Sequence, residues 1–223
     1  MVLTVILAFI CAYLIGSIPV GVFIVRIFTG KDVRQMGSGR SGGTNAMRAA
    51  GFVAGLLTAA FDVGKGILAG YLAGVLIPGS IWVKVISLIL AVIGQIYSVF
   101  LLERNESGKI ILRGGAGGST TFGGAISLWP MSWAIILPLV VLVYIAIGYA
   151  SVTTISIALF SLILFIIRAF IGAGPWEFIV YGVVTLVIVL IALKPNLQRL
   201  REGTERTVGL RAYLQKRSEK NNQ

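Results

Sequence analysis

Long apolar runs separated by clusters of Lys and Arg restrict this chain more than any single motif does. No charged side chain precedes Arg26. Apolar runs cover residues 2–28, 52–76, 81–102, 131–147, 152–170 and 176–193, each near the roughly 17–25 residues that cross a bilayer as a helix. With 57% hydrophobic residues, only 12% charged ones and a mean hydropathy of +0.95, the chain fits a membrane as solvent and not water.

Charge then sets the topology. The 19 Lys and Arg outnumber the 8 Asp and Glu, yet the excess gathers in two loops and a tail beside the apolar runs. That placement argues for cytoplasmic anchors and anion sites against a nucleic-acid partner. The first run is too long, and too poorly flanked on its N-terminal side, for a cleaved signal peptide. Arg26, Lys31 and Arg34 follow it, so its C-terminal side is expected in the cytoplasm and the N-terminus outside.

Six crossings from that start would leave the tail outside, against Lys194, Arg199, Arg201, Arg206, Arg211, Lys216, Arg217 and Lys220. A seventh, short or broken crossing over residues 119–128, ahead of Trp129 and Pro130, restores the parity. The expected fold is therefore an all-α integral membrane protein of about seven transmembrane helices, one short or broken, with its N-terminus outside and C-terminus cytoplasmic. Residues 1–193 form a single polytopic membrane domain and residues 194–223 a basic cytoplasmic tail. The short crossing, rich in glycine, needs protein or a water-filled cavity around it, because lipid offers its backbone no hydrogen bonds.

Two absences narrow the chemistry. The chain has no histidine, which excludes Ser-His and Cys-His nucleophile pairs and His-ligated metals. Its single cysteine, Cys11, lies in the first apolar run and cannot form an intrachain disulfide. No nucleophile, metal or cofactor is assigned.

Three polar segments remain. Gly37-Ser38-Gly39-Arg40-Ser41-Gly42-Gly43-Thr44-Asn45, with Arg48 beyond, contains a G-x-G-x-x-G but joins two membrane helices, so it lacks the strand and βαβ unit of a dinucleotide fold. Its glycines still let backbone N–H groups wrap an anion. Ser38, Thr44 and Asn45 add donors, and Arg48 adds a planar charged fork. The competing reading is a tight surface turn whose arginines meet lipid headgroups.

The second segment, Arg113-Gly114-Gly115-Ala116-Gly117-Gly118-Ser119-Thr120-Thr121, presents N–H groups at the start of the short crossing, or else supplies glycine for close helix packing. The third runs from Asn196 to Gly203-Thr204-Glu205 as the last helix leaves the bilayer. In the second apolar run, Asp62 and Lys65 share a helical face as a pair, and Gly66, Gly70 and Gly74 form a small-residue stripe suited to close packing.

Together these segments resemble the acyl-phosphate:glycerol-3-phosphate acyltransferase family of small bacterial membrane enzymes. The resemblance rests on Gly16-Ser17-Ile18-Pro19, the pattern G-S-G-x-x-G-x-T-N-x-x-R from Gly37 to Arg48, Phe61-Asp62-Val63-Gly64-Lys65-Gly66, and the tail from Asn196 to Glu205. It implies seven transmembrane helices with an outside N-terminus in the cell membrane, and an active site on the cytoplasmic side. It implies that glycerol 3-phosphate and an acyl phosphate are the substrates, beside membrane lipids, and that the product is 1-acylglycerol 3-phosphate for phospholipid synthesis. Ser38 and Arg48 would hold phosphate and Asn196 would contact substrate. The expected binding set is Ser38, Gly39, Thr44, Asn45, Arg48, Arg113, Gly114, Gly115, Asn196 and Glu205.

The chain departs from the family pattern at three places. G-H-x-x-P stands here as Gly94-Gln95-Ile96-Tyr97-Ser98, K-G-G-K-G as Arg113-Gly114-Gly115-Ala116-Gly117, and the histidine three residues before Asn196 as Leu193. The stretch 103–111 is longer than the family loop and brings Lys109. Two further readings stand beside the acyltransferase: a family member that binds phosphates or lipids without catalysis, and a small membrane transporter.

Overall fold

A computed structural model describes residues 1–104 and 108–221, so residues 105–107 of the stretch 103–111 lie outside it. The chain is a mostly helical integral membrane protein. The first apolar run is two helices, α1 (Val2–Ser17) and α2 (Val20–Thr29), and not the single helix expected. Pro19 lacks an N–H and disfavours helix at the residue before it, so Ile18 turns extended.

The carbonyls freed by this break find side-chain donors. Lys65 Nζ donates to Gly16 O at 3.2 Å and Ile18 O at 2.9 Å, and Ser98 Oγ donates to Ser17 O at 2.5 Å.

After a short helix α3 (Gly43–Ala50) come α4 (Phe52–Leu76) and α5 (Ile81–Ile96). Ser80 caps α5 by accepting from the Val83 N–H at 3.3 Å. The next element departs from an all-α chain. Leu102, placed in the third apolar run, begins β1 (Leu102–Arg104), which pairs antiparallel with β2 (Ile110–Leu112). Once the helix ends at Ile96, the hairpin supplies the backbone partners that helix no longer does, and presents Glu103 to the loops.

The segment expected as a short crossing forms α6 (Gly118–Leu128), followed by α7 (Ser132–Ile147), α8 (Ala150–Phe170) and α9 (Glu177–Ala192). The chain then bends by 62° into α10 (Lys194–Arg201), with Pro195 in its first turn, and ends in α11 (Gly209–Asn221). Among the described residues four runs are long and apolar enough to cross a membrane alone, 2–29, 52–76, 81–101 and 150–170, and a fifth results if α9 and α10 count as one bent span. Helix α7 has 16 residues and α6 only 11.

Helix α6 spans about 16 Å at 1.5 Å per residue, and protein surrounds it. Thr120 Oγ1 donates to Asp62 O at 3.0 Å, and the buried Tyr181 hydroxyl donates to Thr121 O at 2.7 Å. Glycine makes the approach possible. A Cβ on Gly123 would overlap the Val63 carbonyl, and one on Gly66 would overlap the Thr120 carbonyl and lie 2.7 Å from Gly124 N.

Gly70 packs closely on Ser127, but nothing lies within 4 Å of a Cβ on Gly74. The stripe expected to hold three packing glycines therefore holds two; the third, Gly74, has open space around it. Outside this core, Phe23, Phe61, Tyr71 and Phe170 point outward as exposed apolar groups, suited to lipid contact.

Gly66→Ala should lower the thermal unfolding temperature in detergent, because overpacking costs about 1–3 kcal/mol and the blocking atoms are backbone. Gly64→Ala, on the same helix with open space around it, should leave the temperature unchanged or slightly raised. Equal shifts for the two would refute the close α4–α6 contact.

Candidate active site

The loop between α2 and α3 is built around an inward-facing amide. Asn45 Nδ2 donates to Val33 O, Met36 O and Arg40 O at 3.1, 2.9 and 2.9 Å, and its Oδ1 accepts from Ser38 N at 3.1 Å. Asn45, expected to contact a ligand, lines the cavity described below, and its amide is also the hub that shapes the nest. Gly37 and Gly39 hold φ of 57° and 71°, in the left-handed region that costs other residues free energy. A Cβ on Gly37 would also strike Asn45 Oδ1.

A run of charges fastens this loop to its neighbours. Arg34 pairs with Asp32 at 2.6 Å and with Glu103 at 3.0 Å, and Glu103 pairs with Arg113 at 2.9 Å. The Arg34 guanidinium, by its hydrogen bonds to the Asp32 carboxylate, holds that carboxyl below the usual range. Ser41 N donates to Gly114 O at 3.3 Å, a direct bond between the two glycine loops.

The second loop presses on the end of α5. Gly115 N donates to Gln95 O at 2.8 Å, and a Cβ on Gly114 would lie 2.6 Å from Ile96 O. The Gly115 N–H, expected to face an anion, is therefore already bonded. The anion-facing backbone lies a few residues later. Gly117, with φ of 83°, starts α6 without a side-chain cap, and Gly117, Gly118 and Ser119 line a cavity. Uncapped N–H groups at a helix start favour an anion.

That cavity has a volume of about 260 Å³. Ser38, Thr44 and Arg48 line it from the first loop, and Asn196 and Glu205 from the tail. Arg48 is exposed at its edge, donating to Arg206 O and Thr207 O at 3.2 Å each. The second cavity, of about 430 Å³, lies between the loops and the end of α9, and Gly39, Arg113, Gly114 and Arg199 line it. Ser38, Arg40 and Asn196 line both, and Lys109 lines neither.

The tail closes the site through a relay. Asn196 Nδ2 donates to Glu205 Oε1 at 3.0 Å, Glu205 Oε2 pairs with Arg199 at 3.2 Å, and Asn196 Oδ1 accepts from Arg40 at 3.5 Å. Arg40 also donates to Gly115 O at 3.2 Å and Ala192 O at 2.5 Å. Burial, then the nearby Arg199 charge, lower its pKa. Sequence reasoning missed Arg40 as a site residue; the available signal was a lone cation at the centre of a glycine nest.

It also left open how the Asp62–Lys65 pair stands to the loops. Lys65 Nζ lies 2.8 Å from Asp62 Oδ1, Gln95 Nε2 donates to Asp62 Oδ2 at 2.9 Å, and Lys65 donates to Gln95 Oε1. All three are buried, and Asp62 and Gln95 form part of the floor of the first cavity. Gln95, standing where the family pattern has histidine, completes this closed ring.

Fold and site together define a polytopic membrane protein with two adjoining cavities lined by arginines and glycine loops, and no histidine or thiol at them. The chain belongs to the glycerol-3-phosphate acyltransferase family, whose model matches residues 6–203. It is 33% identical over 211 residues to glycerol-3-phosphate acyltransferase 2 of Moorella thermoacetica, covering 92% of this chain and 98% of that one. To a glycerol-3-phosphate acyltransferase of Thermus thermophilus it is 35% identical over 209 residues, covering 90% and 94%. Among solved structures it is similar to the glycerol 3-phosphate form of PlsY, an integral membrane glycerol 3-phosphate acyltransferase, with a TM-score of 0.78 and 26% identity over 94% of this chain and 98% of that one. The lysophosphatidic acid form of PlsY matches with a TM-score of 0.76 and 25% identity over the same shares.

Removing one partner of a buried ion pair costs about 3–5 kcal/mol, so Lys65→Met should lower thermal stability sharply. Adding Asp62→Asn should recover part of the loss by removing the unpaired charge. A double variant no more stable than Lys65→Met alone would show that the pair is not coupled.

Proposed function

We propose that this chain transfers an acyl group from an acyl phosphate to the 1-hydroxyl of glycerol 3-phosphate, giving 1-acylglycerol 3-phosphate and inorganic phosphate. The observation that carries this reading is the convergence of three chain-distant segments on one cavity, each bringing phosphate-binding chemistry: Ser38 and Arg48, the α6 N-terminus, and Asn196. The Asp62–Lys65 pair, an intramembrane charge that would suit the transporter reading, is tied to Gln95 and backbone carbonyls.

In the proposed reaction the hydroxyl oxygen of glycerol 3-phosphate bonds to the acyl carbon as the carbon–oxygen bond to the donor phosphate breaks. The electron pair leaves with the phosphate, and a phosphate oxygen takes the hydroxyl proton. No protein nucleophile is required. Holding both substrates in register and stabilising charge supply the rate. Ser38, Thr44 and Arg48 hold one phosphate; Gly39, Arg113 and Gly114 border the chamber of the other; Asn45, Gly115 and Glu205 keep these groups in place.

The same reading gives seven crossings, with the N-terminus outside and the site in the cytoplasm. Supporting it, the end of α5, the start of α6, the connection after α7 and the tail gather at one end of the bundle, where Tyr149 forms a bridge with Thr207. Residues 1–193 are the membrane domain, and 194–223 a cytoplasmic tail whose first part closes the site.

Purified protein given an acyl phosphate and glycerol 3-phosphate should form lysophosphatidic acid, and Arg48→Ala should reduce this by about one to two orders of magnitude, the worth of a charge-assisted contact. Wild-type product no greater than that of the variant would remove the proposal. For topology, in a Cys11→Ser background, Ser218→Cys should react with an impermeant thiol reagent only from the cytoplasmic side and Ala173→Cys only from outside. Labelling of Ser218→Cys from outside would refute seven crossings.

A further inference from the structure

Arg40 is the one arginine that borders both cavities. Its guanidinium is held by three oxygens from three elements, Gly115 O, Ala192 O and Asn196 Oδ1, and none carries charge. Among the described residues no carboxylate lies within the 4.0 Å of an ion pair with it. The other arginines of the second cavity differ: Arg113 is paired with Glu103 and Arg199 with Glu205. Arg48, also without a carboxylate, is exposed to solvent. A half-buried cation surrounded by neutral acceptors lacks the anion that normally compensates its desolvation.

Its position explains a second feature. Ala116 stands where the family pattern has its second lysine, and it faces the first cavity. The carbonyl just before it, Gly115 O, is the one that accepts from Arg40. The cation that the second loop does not provide thus enters the same volume from the first loop.

We propose that Arg40 is a catalytic residue that binds the phosphate of the acyl donor at the wall between the two cavities, taking the role of the cation absent at Ala116. This rests on the acyl transfer proposed above. As the hydroxyl oxygen bonds to the acyl carbon and the donor carbon–oxygen bond breaks, negative charge collects on the departing phosphate. A guanidinium on that phosphate stabilises it through paired, charge-assisted hydrogen bonds. Ser38 and Asn196, which share the wall, flank the point of transfer.

The test compares Arg40→Gln, which retains a donor without charge, Arg40→Lys, and the double variant Arg40→Gln with Ala116→Lys. For each, kcat, both KM values, thermal unfolding and titration of inorganic phosphate are measured. Arg40→Gln should lose about ten- to a hundred-fold in kcat and at least ten-fold in phosphate affinity, with unfolding temperature nearly unchanged, and Arg40→Lys should lose less. The double variant should recover at least ten-fold of both, which a lost loop stitch would not do. Unchanged kcat and phosphate affinity in Arg40→Gln, or losses that Ala116→Lys leaves in place, would overturn the proposal. If the wild type shows no turnover, acyl transfer itself falls, while the phosphate titrations and their rescue still decide whether Arg40 is an anion-binding cation.

Discussion

The ammonium of Lys65 is the group on which the rest of the architecture depends. A helix broken inside a bilayer must have its freed carbonyls satisfied by protein, and the break at Pro19 frees several. Lys65 answers two of them, at Gly16 and Ile18. Its charge in turn requires Asp62, and the second Asp62 oxygen requires the Gln95 amide. Gln95 is thereby fixed, and its main-chain carbonyl receives the N–H of Gly115. A proline in the first span is thus linked, bond by bond, to the position of the second glycine loop.

Above this knot carboxylates fasten the arginines to their neighbours. Glu103 joins Arg34 to Arg113, and Glu205 joins Arg199 to Asn196. Like charges would otherwise repel in so small a volume. Each acid holds its arginine in one orientation, so the loops keep an open shape that a phosphate can enter without first ordering the protein, which lowers the cost of binding. The site therefore has two kinds of cation: those fastened by acids, which shape it, and those held only by carbonyls, which retain free charge.

Much of this was legible in the sequence, for physical reasons that differ by residue. Apolar runs and basic clusters located the long apolar helices, because the bilayer constrains length and charge more tightly than any soluble core does. The two glycine loops announced themselves by composition, as did the short α6. Less legible was orientation. Asn45 carries the right donors, but whether they face a ligand or the loop itself depends on carbonyls at Val33, Met36 and Arg40 that only the folded turn assembles. Gly115 has the N–H of an anion donor, and its distant acceptor, Gln95 O, is invisible in the sequence. Gly66, Gly70 and Gly74 share a stripe, yet the stripe outlasts the 11-residue partner it packs on. The break at Pro19 went unread, although proline carries the signal for it, and the lysine beneath it has no local signal at all.

The substitution of glutamine for the histidine of the family pattern also changes what the knot can do. An imidazole in place of the Gln95 amide would be a titratable group, and its protonation would place a second cation beside Lys65. The Gln95 amide keeps its N–H donors and its oxygen acceptor at every pH, donating to Asp62 and accepting from Lys65. Since the chain has no histidine elsewhere, the side chain that ordinarily titrates near pH 7 is absent from the whole protein. In the proposed reaction that leaves the phosphate, whose second ionisation lies near 6 in its esters, as the natural proton acceptor. The protein's part is then to supply fixed positive charge, and the structure accordingly invests in arginines, which keep their proton throughout.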